Sequence, residues 1–171
     1  MILGMTTSAF TLLHVLLSLA GIGSGLVVLY GLLNAKRLDG WTAIFFATTI
    51  ATSVTGFLFP IEKLTPGLVI GILSLALLAL AIVARYQLRL IGGWRRAYVI
   101  SAMVALYFNV FVAVVQAFEK VPALKSAAPT QKEPPFVVTQ LIVMAGFVLA
   151  VWVAAKRFRE ETVAPVRSRA A

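Results

Sequence analysis

The groups best suited to chemistry in this 171-residue chain are hydroxyl, amide and imidazole side chains within apolar segments. Thr48, Thr52 and Thr55 recur at spacings of four and three residues, which puts them on one side of an α-helix. The adjacent stripe is formed by Thr49, Ser53 and Gly56. Such a polar face can line a solute path or a ligand pocket. Alternatively, its hydroxyl groups donate to carbonyls four residues earlier and allow helices to pack closely.

Polar residues from four different apolar segments lie toward the same side of the membrane, about 7–13 Å from its middle. They are His14, Thr55, Gln116 and Gln140. Polar side chains at such depths usually face the protein interior or a wet cavity. The pattern predicts an outward-facing polar pocket whose floor is formed by Thr48, Thr52, Tyr107 and Asn109. An ordinary set of interhelical hydrogen bonds is the alternative.

His14 is the only histidine, and the chain has no cysteine. Thiolate metal sites and protein sites that need two imidazoles are therefore excluded. One histidine cannot bind a haem on both faces, and the apolar segments contain no carboxylate for a proton relay. The sequence predicts no catalytic residue, no metal and no cofactor. Haem or quinone binding near His14, Tyr107 and Gln116 stays open as an alternative.

The elements that would position these groups are membrane-spanning helices. Hydrophobic residues make up 61% of the chain and charged residues 12%, against about 25% charged in soluble domains. This excludes a soluble enzyme, a secreted disulfide scaffold and a disordered chain. Five segments without Asp, Glu, Lys or Arg are long enough to cross a bilayer. They are residues 10–33, 41–60, 66–84, 97–118 and 136–155, within one helical domain 1–155.

The basic residues between these segments predict the orientation. Of the 15 Lys and Arg residues, 11 lie in the loops after the first and third segments and in the tail 156–171. The positive-inside rule places this side in the cytoplasm, with the N-terminus outside and the C-terminus inside a bacterial inner membrane. Topology thus explains the net charge of +9 without nucleic acid. The competing topology has four spans, with one segment re-entrant or in the interface.

A weak internal repeat suggests how the segments pack. Gly40-Trp41 and Gly93-Trp94 begin the second and fourth segments, 53 residues apart. This predicts two parallel-repeat hairpins that form a four-helix core, with the fifth helix on one flank. Gly21 and Gly25 form a GxxxG motif that, with Gly56, allows close helix packing. The packing is either within the subunit or at a seam between copies.

Residues 119–135 form a proline-rich segment on the outer side, with four prolines in 17 residues. Proline disfavours helix and favours an extended, polyproline-like course. The segment is longer than the usual helix connection. A lid, a docking strap and a spacer are the alternative roles.

Two short stretches carry a resemblance, namely residues 51–60 (ATSVTGFLFP) and 128–136 (APTQKEPPF). With the plan from His14 to Gln116, they resemble proteobacterial multi-pass inner-membrane proteins. That four-helix plan is distantly similar to haem-binding membrane cytochromes, which begin with a histidine in the first span. Here Gly40-Trp41 and Gly93-Trp94 occupy the places of the further histidines. The resemblance implies a fold plan and no particular activity.

These observations favour a non-enzymatic multi-pass inner-membrane protein that acts as a small oligomer or as an accessory subunit of a membrane complex. A channel or carrier for a small solute is the alternative, and a redox subunit binding quinone or haem is the second. The expected partners are the lipid bilayer and either a second copy or another membrane subunit.

Overall fold

The computed structural model describes residues 2–60 and 66–158. These residues form six α-helices and no β-strand, which confirms the predicted all-α fold class. The helices are α1 (Thr7–Leu33), α2 (Asp39–Phe57), α3 (Pro66–Ile82), α4 (Trp94–Lys120), α5 (Pro122–Ala127) and α6 (Pro134–Arg157). A π-helical turn, Val83–Gln87, continues α3. Most of the predicted basic tail lies outside the described residues.

Four of the described helices are long and apolar enough to cross a membrane: α1, α3 with its π-helical turn, α4 and α6. They correspond to four of the five predicted spans. The fifth, α2, is not among them, because its five threonines lower its hydropathy. Its 19 residues correspond to about 28 Å of helix, close to the roughly 30 Å of a bilayer core.

The first four helices form two hairpins, α1 with α2 and α3 with α4. Contacts between α2 and α3 and between α1 and α4 join the hairpins into a four-helix bundle, and α6 packs on α4 and α1. Helix α4 is central and supplies the largest share of the buried core. Its buried residues are Tyr98, Val99, Ser101, Ala102, Met103, Ala105, Leu106 and Phe118.

Helix ends follow local chemistry. The N–H of Ala9 donates to the Thr6 hydroxyl at 3.2 Å, which caps α1. Pro134 occupies the first turn of α6, where the missing N–H of proline costs no hydrogen bond. Two helix boundaries differ from the predicted ones: α2 begins two residues earlier, at Asp39, and the helical turn after α3 includes Arg85.

The extended course predicted for residues 119–135 is wrong in its first half. Helix α4 continues to Lys120, and α5 follows as a short helix. Pro122 stands at the start of α5, a position that proline favours, rather than in a helix interior. Gln131 then attaches the segment to α4, because its Nε2 donates to the carbonyl of Val115 at 3.1 Å.

A carboxylate closes the second half of this outer segment. Glu133 accepts hydrogen bonds from the Thr130 hydroxyl at 2.8 Å and from the Thr130 N–H at 3.2 Å. The hydrogen bond from the Thr130 side chain is the main reason why the pKa of Glu133 is lowered from its usual value. Glu133 is therefore ionised at neutral pH and holds the turn that leads into α6.

Gly21 and Gly25 of α1 face the bundle. A Cβ atom at Gly25 would lie 2.4 Å from Leu106 Cδ1 and 3.0 Å from the Phe45 ring. Leu106 and Phe45 are fully buried on α4 and α2, so neither has free space to move into. Gly23, between the two motif glycines, has no neighbouring atom within 4 Å. The GxxxG motif thus packs helices within the subunit.

Replacing Gly25 by alanine should lower the stability of the bundle by about 1–3 kcal/mol, because the added methyl group overpacks the contact with Leu106 and Phe45. Thermal unfolding of the purified protein in a mild detergent measures this effect. Gly23→Ala is the matched control, with the same chemical change in open space. Equal melting temperatures for the two variants would contradict the packing described here.

Candidate functional site

A polar contact in the middle of the bundle joins three helices. The Asn109 amide on α4 donates to the Thr49 hydroxyl on α2 at 3.1 Å. Gly21 on α1 lies against this pair, since a Cβ there would be 3.2 Å from Thr49 Oγ1 and 3.4 Å from Asn109 Nδ2. Thr48 Oγ1 would also be 3.4 Å from that atom. The missing side chain of Gly21 therefore makes room for the polar pair.

In the stripe formed by Thr48, Thr52 and Thr55, two of the three hydroxyl groups are bonded to their own helix. Thr48 donates to the Ile44 carbonyl at 2.7 Å, and Thr55 donates to the Ala51 carbonyl at 2.7 Å. These bonds satisfy the hydroxyl protons without a ligand. The exception is Thr52, whose Oγ1 is buried without a hydrogen-bond partner among the described residues.

His14 joins the beginning of α1 to the C-terminal end of α2. Its Nδ1 lies 2.8 Å from Thr55 Oγ1. Because Thr55 gives its only hydroxyl proton to the Ala51 carbonyl, we infer that Nδ1 carries the proton and donates it, which leaves a lone pair on Nε2. The Phe59 ring stands edge-on to the imidazole, with 5.4 Å between the centres of the two rings. A Cβ at Gly56 would be 3.5 Å from His14 Cε1, in ordinary contact.

The remaining predicted pocket residues lie elsewhere. Gln140 on α6 donates to the Phe111 carbonyl of α4 at 3.2 Å. Gln116 pairs locally with Glu119, with 3.3 Å between Nε2 and Oε2. The Tyr107 ring packs between α4 and α6, with 5.6 Å between its centre and that of Phe147.

The predicted site residues are therefore divided among three helix interfaces. One contact, between α1 and α2, contains His14, Thr55 and Gly56. The second, between α1, α2 and α4, contains Gly21, Thr48 and Asn109. The third, between α4 and α6, contains Gln140. Each contact pairs polar groups across an apolar interface, as expected where water cannot satisfy them.

A charged cluster that the sequence did not predict lies at the end of the bundle where α2 begins. Arg85 is only 2% exposed, and its guanidinium donates to the Asp39 carboxylate at the start of α2. Arg37 approaches the same carboxylate oxygen at 3.9 Å. The Arg85 guanidinium also lies over the Tyr98 ring, 4.9 Å from its centre. A carboxylate and an aromatic face together stabilise this buried cation.

The π-helical turn brings Arg85 into the bundle. The Leu88 N–H donates to the Val83 carbonyl at 2.9 Å, a bond that spans five residues instead of four. The wider turn places Arg85 against the start of α2, while the following Tyr86 and Gln87 are exposed. No simple sequence pattern predicts a π-helical turn. A usable signal was that Asp39 is the only acidic residue in the first 60 positions.

The carboxylate of Asp39 connects the interior of the bundle to its surface. Asp39 is 69% exposed on its side chain, so it links the buried Arg85 to the aqueous edge of the bundle. Arg85 Nε remains buried without a partner. Residues 2–60 and 66–158 contain no group of three or more His, Asp or Glu side chains that could hold a metal ion.

No protein-family model, curated protein or solved structure matches this chain.

Replacing Asp39 by alanine should destabilise the protein by about 1–3 kcal/mol, since the buried Arg85 then loses its charged partner. Adding Arg85→Met should restore most of that stability, because it removes the unpaired charge and keeps an apolar stem. Arg37→Gln is the control and should cost less than about 0.5 kcal/mol, as expected for an exposed pair. Unfolding in detergent measures all variants, and an additive double variant would contradict the pairing.

Proposed function

We propose that this chain is a non-enzymatic, five-span protein of a bacterial inner membrane that acts as a small oligomer or as an accessory subunit of a membrane complex. The observation that carries the proposal is that polar side chains within the spans form hydrogen bonds across helix interfaces, to a side chain of the neighbouring helix or, for Gln140, to a backbone carbonyl. Groups engaged in this way hold helices together and are not free to act on a substrate. The polar groups of the bundle thus serve mainly to hold its helices together.

The surface of α6 supports a partner in the membrane. Helix α6 contacts only one side of the bundle, through α4 and α1. Its large exposed apolar side chains are Val137, Val138, Leu141, Ile142, Met144, Val148, Leu149 and Trp152. Lipid chains cover such a surface in a monomer, and a second copy or another membrane subunit covers part of it in an assembly.

Exposed aromatic residues and basic residues share one end of the bundle, and the basic residues support the orientation. Trp41, Trp94, Trp152 and Tyr86 are exposed near the ends of α2, α4, α6 and α3. Tryptophan and tyrosine favour the interface between lipid and water. The Lys156 ammonium lies 3.6 Å from the centre of the Trp152 ring, so basic and aromatic residues share this end. In the proposal, it faces the cytoplasm.

The absence of cysteine allows a clean test of topology by single-cysteine labelling. In intact spheroplasts, a membrane-impermeant maleimide should label Leu58→Cys and Ser126→Cys. Gly40→Cys and Gln87→Cys should be labelled only after the membrane is permeabilised, because the proposal places them at the cytoplasmic end. All four residues are exposed, and the cysteine-free parent reports background labelling.

The two variants at the ends of α2, Gly40→Cys and Leu58→Cys, test whether this helix crosses the membrane. Labelling of Gly40→Cys and Leu58→Cys from the same side would show that α2 is re-entrant or interfacial. Labelling of Ser126→Cys only after permeabilisation would reverse the proposed orientation.

Native mass spectrometry of the untagged protein, purified at its natural level in a mild detergent, tests the assembly. The expected mass is a multiple of 18.4 kDa, or 18.4 kDa plus the mass of another polypeptide. A monomer alone would contradict the proposed assembly. An adduct with the mass of haem or quinone would favour the redox alternative, and its loss in His14→Ala would place that cofactor at His14.

A further inference from the structure

We propose that a basic turn, residues 89–96, binds the headgroups of anionic phospholipids; it comprises the loop after α3 and the first three residues of α4. The inference extends the proposed function: it takes the membrane setting from it and names a lipid class as a partner. It rests on charge, exposure and backbone anchoring within this one turn, and each of these is independent of the assembly of the protein.

The turn is a concentration of positive charge with no acidic neighbour in the sequence. Arg89, Arg95 and Arg96 fall within eight residues, and no Asp or Glu occurs between Lys63 and Phe118. Within the described part of the chain, Asp39 pairs only with Arg37 and Arg85. Arg89 and Arg96 are exposed and have no carboxylate partner there. An external anion is therefore the complementary group for these two guanidinium groups.

Apolar residues in the same turn identify the source of that anion. Ile91 is 63% exposed and Trp94 is 43% exposed, and both flank the arginines in the chain. A soluble phosphate or a nucleic acid offers nothing apolar to cover Ile91. A phospholipid presents acyl chains to Ile91 and Trp94 and a phosphate to Arg89 and Arg96, as at basic interfacial segments of other membrane proteins.

The backbone holds these side chains in place. Leu90 is 3% exposed, and its N–H donates to the Ala84 carbonyl at 3.0 Å. Arg89 and Leu90 both have positive φ, at 49° and 61°, which ends the helical course and sends the next residues outward. The buried Leu90 thus anchors the turn, while Ile91, Arg89 and Arg96 remain on the surface. A preformed site loses less entropy when a lipid binds.

Tryptophan quenching by brominated lipids measures the preference. The Trp41→Phe/Trp152→Phe protein, which retains Trp94 as its only tryptophan, is reconstituted with zwitterionic phosphatidylcholine. Dibrominated phosphatidylglycerol or dibrominated phosphatidylcholine is then titrated at low salt. The two quenching curves give the ratio of anionic to zwitterionic lipid binding next to Trp94.

The starting protein should prefer the anionic lipid about fivefold or more, since one arginine near a phosphate contributes roughly this factor. Adding Arg89→Gln/Arg96→Gln should bring the ratio close to one. Lys125→Gln/Lys132→Gln removes the same charge from the outer segment and is the matched control, so the ratio should not change. If the arginine variant fails to fold, 1 M salt on the starting protein should lower the ratio in the same way.

A ratio of one in the starting protein would overturn the proposal, as would an equal fall in the two double variants or a preference that survives 1 M salt. Inorganic phosphate, added at constant ionic strength, should leave the ratio unchanged. A loss of preference under phosphate would show that the free anion competes for the same arginines, so that the apolar contact does not select the lipid, and this would contradict the proposal. These outcomes are independent of cysteine labelling and native mass, so failure here leaves the proposed topology and assembly standing.

Discussion

Arg85 is a full positive charge inside an apolar bundle, and the geometry of one end of the molecule depends on neutralising it. The cost of burying a guanidinium group is large unless a carboxylate accepts its hydrogen bonds. Asp39 supplies that carboxylate from the first turn of α2, and Tyr98 supplies an aromatic face from α4. Three helices from both hairpins are therefore held together at one point. Arg85 lies within the π-helical turn that continues α3.

The middle of the bundle meets a different constraint. Between helices in lipid, apolar side chains gain little over contact with acyl chains, so close packing and polar contacts provide the attraction. Gly21 and Gly25 permit both. Gly25 admits the Leu106 and Phe45 side chains, while Gly21 leaves space for the hydrogen bond between Asn109 and Thr49. Two glycines one helical turn apart thus allow a van der Waals contact at Gly25 and a polar contact at Gly21.

The sequence predicted the helical class well, and four of its five predicted spans are helices long and apolar enough to cross a membrane, because long apolar segments have few other possible structures. It also suggested that polar residues of different spans meet, as His14 and Thr55 do. It did not predict how they divide among interfaces, since helix rotation depends on packing. Thr49, named only as part of the adjacent stripe, is the bonded partner of Asn109. The sequence places Arg85 in a loop, because a π-helical turn leaves no pattern in the sequence. It does not reveal α5, because proline disfavours a helix interior but is well tolerated at a helix start, where Pro122 lies.

The arginines that follow α3 show how one short stretch serves both the interior and the surface. In a continuous α-helix, Arg85 and Arg89 would lie on the same face, four residues apart. Here the π-helical turn directs Arg85 inward, and the positive φ angles at Arg89 and Leu90 break the helical course before Arg89 can follow it. Left-handed conformations cost non-glycine residues of the order of 1–3 kcal/mol each. Leu90 is 3% exposed in this conformation, and the burial of its side chain contributes against that cost. Charge placement and backbone conformation are thus coupled: the bundle retains the one arginine that has a carboxylate and exposes Arg89 and Arg96, which have none.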